Sequence, residues 1–157
     1  MAAEPVLDLD RQLCFALYRA QRALTRAYAP LLEPLGLTYP QYLVFLRLWA
    51  EDGQRVNDLG DCLSLDSGTL TPLLKRLEHR GLVERRRDTA DERVVRIYLT
   101  DAGRALRTKA KKVPVALAGL AGFDLDKPKG VNALAGLRDE LTALATRLEH
   151  ASDAKPR

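Results

Sequence analysis

The 157 residues, 46% hydrophobic and 29% charged, suffice for one compact domain with a real core, and a net charge of +4 with a pI near 9.2 favours a polyanionic partner. No apolar run approaches the roughly 18 residues of a membrane span. The acidic start MAAEPVLDLD lacks the charged and apolar regions of a signal peptide, so a cytoplasmic protein with two reduced cysteines is expected.

In chain order, residues 1–7 should be loose. Leu9, Leu13, Ala16, Leu17, Ala20 and Leu24 then recur at helical spacing for one buried face, with Asp8 and Asp10 at the end where negative charge suits a helix. Pro30 and the Pro34–Gly36 stretch should disrupt that helix near its end. Thr38 and Gln41 match a capping box and open a second helix, which carries Tyr42, Phe45, Leu46 and a core Trp49 to a stop near Gly53.

Residues 54–100 read as two short helices, a tight join and a basic hairpin. In the second of these helices Leu70, Leu73, Leu74 and Leu77 form an apolar stripe. Gly68, Thr71, Pro72 and Lys75 face the other way, flanked by Thr69 and Arg76, and Asp66 stands at the N-cap before Ser67. Small hydroxyls first and cations later suit a helix whose N-terminal half enters a DNA major groove. Beyond Gly81, a C-cap, Leu82–Arg87 and Arg93–Leu99 favour strands around the polar turn DTADE. From Lys75 to Arg96 eight Lys/Arg against five Asp/Glu leave +3, most of the excess charge of the chain. Alone, such a hairpin is a solvated charged turn; joined to a helix-turn-helix pattern it reads DNA.

Thr100 and Asp101 begin a further helix whose Arg104, Arg107, Lys109, Lys111 and Lys112 lack a compensating acid, which fits a solvated face or an auxiliary phosphate contact. Pro114 should bend it and Gly122–Lys129 break it. A last helix then runs to about His150, with Val131, Leu134, Leu137, Leu141, Leu144 and Leu148 in a seam that needs a partner helix. ASDAKPR should be disordered.

No Gly-rich phosphate loop, GxSxG or HExxH is present, and neither His79 nor His150 makes a metal set with Cys14 and Cys62, so no enzyme, cofactor or metal is implied. A cysteine alone on a helix is ordinarily an inert small hydrophobe. Around Cys14, however, Tyr18 lies one turn on and Arg11 one turn before, a donor and a cation that would stabilise an anionic sulfur. The helix dipole should add little, because Cys14 is placed beyond the first turn. Cys62, near Leu59 and Leu63, should pack quietly.

The strings LTPLLKRLEHRGLVERR and DERVVRIYLT resemble the winged helix-turn-helix of the MarR (multiple antibiotic resistance regulator) family. With QLCFALY and LTYPQYLVFLRLW the resemblance, from about Leu9 to Leu120, narrows to the organic-hydroperoxide-resistance regulators. It implies a mainly α fold with a small β-hairpin wing, one domain over 1–157, with dimerisation helices at 8–36 and 101–150. The implied protein is a homodimeric repressor on an inverted-repeat operator of double-stranded DNA. Contacts are expected from Ser67, Thr69, Thr71, Lys75, Arg76 and Arg86, with Arg93 entering a minor groove and Asp91 orienting it. The branch places the cysteine that an organic hydroperoxide oxidises at Cys14, with Tyr28 and Tyr39 reaching the sulfur from the other subunit and Tyr18 nearby. No cysteine follows Cys62, so the chain resembles the one-cysteine type, in which a small cellular thiol would cap the oxidised sulfur. The alternatives are a repressor released by a small aromatic anion, a thiol peroxidase, and a protein-binding winged helix.

Overall fold

A computed structural model describes residues 6–153. The looseness expected of residues 1–5 and the disorder expected of residues 154–157 lie outside the described residues. Ala151–Asp153, assigned to the same tail, instead continue the last helix. The chain divides between Val113 and Pro114 into two compact units.

In the first unit Asp8 caps a single 3-10 turn, Leu9–Arg11, its carboxylate accepting from the Asp10 N–H at 3.1 Å. Gln12 is extended (φ −83°, ψ 127°), and only then does α1 run, Leu13–Leu32. This break corrects two expectations. Arg11 is not one helical turn before Cys14, and Cys14 is the second residue of α1, inside the first turn where unpaired amide N–H groups remain. Gly36 (φ +63°) closes the far end after a 3-10 turn at Glu33–Leu35: its N–H donates to the Glu33 carbonyl at 2.9 Å, and the Leu37 N–H to that of Leu32 at 3.3 Å. Helix α2, Tyr39–Ala50, opens on the expected capping box, with the Thr38 N–H donating to Gln41 Oε1 at 3.0 Å.

Two residues, Gln54–Arg55, form β1, which the sequence pattern did not show. Helices α3 (Val56–Leu63) and α4 (Ser67–His79) follow, joined through Ser64 in the left-handed region at φ +51°. After α4 the Gly81 N–H donates to the Glu78 carbonyl and the Leu82 N–H to that of Leu77, a Schellman stop that needs the positive φ of Gly81. Strands β2 (Val83–Arg87) and β3 (Val95–Leu99) make the hairpin, and β1 adds to its other edge, giving the antiparallel order β1-β3-β2. Val83 pairs with Leu99, Arg85 with Ile97 and Arg87 with Val95.

The core collects Leu70, Leu73, Leu74 and Leu77 of α4 with Tyr42, Phe45 and Leu48 of α2, Leu59 of α3, and Val83 and Ile97 of the sheet. Helix α5, Asp101–Ala110, docks at Gly103, where an added Cβ would lie 2.1 Å from the Leu82 carbonyl oxygen. Trp49 is half-buried and donates from its indole nitrogen to the Gly103 carbonyl at 3.0 Å. The helix breaks at Lys111, ahead of Pro114, and α6 takes up Lys112–Leu120 with the proline in its first turn. In the second unit α7 spans Pro128–Asp153, with Val131, Leu137, Leu141 and Leu148 exposed.

Candidate nucleic-acid interface and thiol site

Asp66 holds the start of α4: its carboxylate accepts from the Thr69 N–H at 2.8 Å. With the leucine stripe buried behind, Ser67, Thr69, Lys75 and Arg76 stand exposed and Thr71 is half-buried. One helix surface therefore presents hydroxyls at its N-terminal end and cations a turn or two later.

The wing is fixed from its base. Arg96 of β3 pairs with the Asp88 carboxylate and donates to the Gly53 carbonyl at 2.9 Å. That hydrogen bond from Arg96 holds the Asp88 carboxyl below the usual carboxylate range. In the turn, the Arg93 N–H donates to Asp91 Oδ1 at 3.0 Å, so Asp91 shapes the backbone that carries Arg93.

Alternation along β2 separates its arginines. Arg86 donates from Nε to Glu84 at 3.0 Å and lies over the Tyr98 ring at 5.0 Å. Arg85 projects to the other face, where with Arg55 and Arg93 it lines a cleft of about 280 Å³ at the N-terminus of α3, beside Asn57 and Asp58. None of these three arginines is in an ion pair among the described residues, and Arg85 Nε is buried without a partner. Sequence reasoning misses Arg55 and Arg85; the period of two opposite the buried Ile97 is the signal that could distinguish Arg85 from Arg86. Arg104, expected to lack a compensating acid, pairs with Asp52 at 2.9 Å.

Cys14 is exposed in the single chain, as is Tyr18, whose ring lies 5.4 Å from the Arg22 guanidinium. Tyr28 and Tyr39 come together, with ring centroids 4.6 Å apart, and Tyr42 adjoins Tyr28 at 5.7 Å. Burial, reinforced by repulsion from Tyr39 and Tyr42, pushes the Tyr28 phenol up to about 12, so at neutral pH it remains an O–H donor. Fourteen positions along one helix amount to about 21 Å, so Cys14 does not reach Tyr28 of its own chain. Cys62 is exposed rather than packed, because it sits on the outer side of α3 while Leu59 and Gly60 are buried. Among the described residues no group of three or more His, Cys, Asp or Glu could hold a metal ion, and no helix is long and apolar enough to cross a membrane.

A buried leucine stripe behind an exposed polar helix, followed by a basic three-stranded wing, defines a winged-helix DNA-binding protein. The model of the SarA/Rot transcriptional regulators matches residues 26–109. The chain is 54% identical over 143 residues to the HTH-type transcriptional regulator TtmR of Methylorubrum extorquens, covering 90% of this chain and 73% of that protein. It is 48% identical over 126 residues to the organic hydroperoxide resistance transcriptional regulator of Bacillus subtilis, covering 78% and 86%. Among solved structures, reduced AbfR bound to DNA superposes with a TM-score of 0.73 at 36% identity, over 91% of this chain and 94% of that one; AbfR is a protein of Staphylococcus epidermidis. The chain belongs to the MarR/SarA-type winged-helix regulators, as a DNA-binding transcriptional regulator.

Proposed function

We propose that this regulator is a homodimeric repressor that leaves its operator when an organic hydroperoxide oxidises Cys14. The observation that carries the reading is the separation of parts along α1: the thiol stands in its first turn and the phenol pair stands near its end. Cys14 and Tyr28 are 14 positions apart, which at about 100° per residue brings them to nearly the same side of the helix. A two-fold axis crossing α1 near Gln21 would therefore bring each Cys14 toward the partner's phenol pair. The exposed apolar side chains of α1, Leu13 and Leu24 among them, are what such a crossing would cover.

The chemistry follows from the groups assembled. The Cys14 sulfur, as thiolate, attacks the terminal peroxide oxygen; an S–O bond forms as the O–O bond breaks. The hydroperoxide is reduced to an alcohol, its alkoxide taking a proton, and the sulfur is oxidised to a sulfenic acid that a small thiol can then cap. Tyr28 and Tyr39, still protonated, are suited to donate to the sulfur or to the departing oxygen. A polar, larger sulfur in a packed interface moves the two DNA-reading heads as rigid bodies. Ser67, Thr69, Thr71, Lys75 and Arg76 are assigned to the major groove and Arg93 to the minor groove. The hydroperoxide-resistance relative in Bacillus subtilis supports the oxidant class, and AbfR is known reduced and overoxidised on DNA and in a disulfide form.

The test is a mobility shift on the promoter beside the gene, with and without cumene hydroperoxide, for wild type, Cys14→Ser and Cys62→Ser. Cys14→Ser should bind in reducing buffer and stay bound after oxidant, while Cys62→Ser should be released like wild type. Release of Cys14→Ser would place the sensor elsewhere.

A further inference from the structure

The helical pattern puts Tyr42 in the core, and its ring is core: it is 1% exposed, packed between Tyr28 at 5.7 Å and Trp49 at 6.4 Å. Its hydroxyl does not fit that role. Tyr42 Oη is buried and has no hydrogen-bond partner. A buried hydroxyl without a partner costs stability that a phenylalanine of the same shape would not. The rest of this core, Leu32, Phe45 and Leu48 among it, offers no side-chain acceptor. Beside it stands the phenol cluster: the Tyr28 ring of α1 lies 5.7 Å from that of Tyr42 and 4.6 Å from that of Tyr39.

We infer that Tyr42 is a positioning residue of the peroxide response, its hydroxyl being the partner that the Tyr28 phenol takes when oxidation of the sulfur displaces it. This rests on the assignment of Cys14 as sensor. In the reduced dimer Tyr28 spends its O–H on the partner's Cys14, and Tyr42 is left unpaired. Once the sulfur carries oxygen, Tyr28 is displaced, and a small ring rotation gives it and Tyr42 one hydrogen bond between them. The Tyr28–Tyr42 bond thus offsets the one that Tyr28 loses at the sulfur, so the two-state interface lies further toward release than it would without Tyr42. Because Tyr42 is on α2 and Tyr28 on α1, the exchange also ties the sensor helix to the helix that leads to the wing.

The substitution Tyr42→Phe separates this role from packing. Full-length wild type, Tyr42→Phe, Tyr28→Phe, the double variant and Cys14→Ser would be titrated with cumene hydroperoxide. Sulfenic acid at Cys14 would be counted by mass spectrometry, and DNA release followed by fluorescence anisotropy on the same samples. Tyr42→Phe should melt no lower than wild type, bind DNA normally when reduced, and form sulfenic acid at the wild-type rate. At equal oxidation its release constant should be weakened about fivefold, the size of one hydrogen bond. Adding Tyr42→Phe to Tyr28→Phe should change release no further. Wild-type release by Tyr42→Phe at equal oxidation, or additive effects in the double variant, would overturn the role of Tyr42 while leaving the sensor standing. Release of Cys14→Ser would overturn both.

Discussion

Tyr28 shows how its surroundings set the protonation of one side chain. Partly buried and flanked by two other phenols, it keeps its proton to about pH 12 against an ordinary value of 10. In the unfolded chain it ionises near pH 10, so the unfolded state releases the proton first. The stability involved is fully present below pH 10 and is lost as pH rises toward 12. Urea unfolding across that window should show wild type weakening more steeply than Tyr28→Phe; parallel curves would mean that the phenol is no harder to ionise folded than unfolded. At this scale helical spacing sets Tyr18 near Cys14, and the resemblance alone points to Tyr28 and Tyr39, whose rings the fold does bring together. The break at Gln12, which moves Cys14 into the first turn, is not legible in the sequence, because a 3-10 turn and an α-helix present the same apolar letters over three residues. Nor is the exposure of Cys62, because on an eight-residue helix its distance from Leu59 and Leu63 leaves the buried side ambiguous.

At the scale of the element, the wing assigns its arginines by register. The residues paired across β2 and β3 put Arg85 on the face of Ile97 and Arg86 on that of Tyr98. An arginine already held by Glu84 must give up that pair to meet a phosphate, whereas Arg85 faces a basic cleft with Arg55 and Arg93. Arg85→Ala should therefore weaken DNA binding and flatten its salt dependence by about 0.9 in logarithmic slope for each phosphate it no longer neutralises. Arg86→Ala, which removes one exposed ion pair, should change affinity by less than about fivefold, the range of such pairs. Anisotropy titrations at several salt concentrations decide it, and the reverse order of effects would restore Arg86 as the phosphate contact. Helix α4 and the hairpin are legible from periods of 3.6 and 2. Strand β1 is not: two residues carry no period, and Gln54 and Arg55 are a strand only because β3 lies alongside.

At the largest scale, a continuous path runs through the first unit from the phenol cluster to the DNA-reading parts. Helix α2 carries Tyr39 and Tyr42 and ends at Ala50. Just beyond it, one oxygen of Asp52 accepts from the Leu99 N–H of β3 at 2.8 Å and from the Gly53 N–H at 3.0 Å; the other accepts from Arg104 of α5 at 2.9 Å. The Gly53 carbonyl in turn takes Arg96, which holds Asp88 at the root of the wing turn. A displacement of α2 thus reaches the wing and α5 through one carboxylate, beside the apolar core that α2 shares with the sheet. No sequence pattern marks this, since Asp52 lies in a loop and its partners are 47 and 52 positions away. Asp52→Ala should cost about 1–3 kcal/mol by leaving the Leu99 amide without its acceptor, while Arg104 keeps only Asp101, at 3.5 Å. Its effect on signalling should be distinct from that cost. Cys14 should still be oxidised at the wild-type rate, because the thiol is on α1 and touches none of these groups, while DNA release at equal oxidation should fall. Cysteine labelling and anisotropy on the same samples separate the two steps. If Asp52→Ala loses stability yet releases DNA in step with its oxidation, the carboxylate only braces the fold and the movement travels by another route.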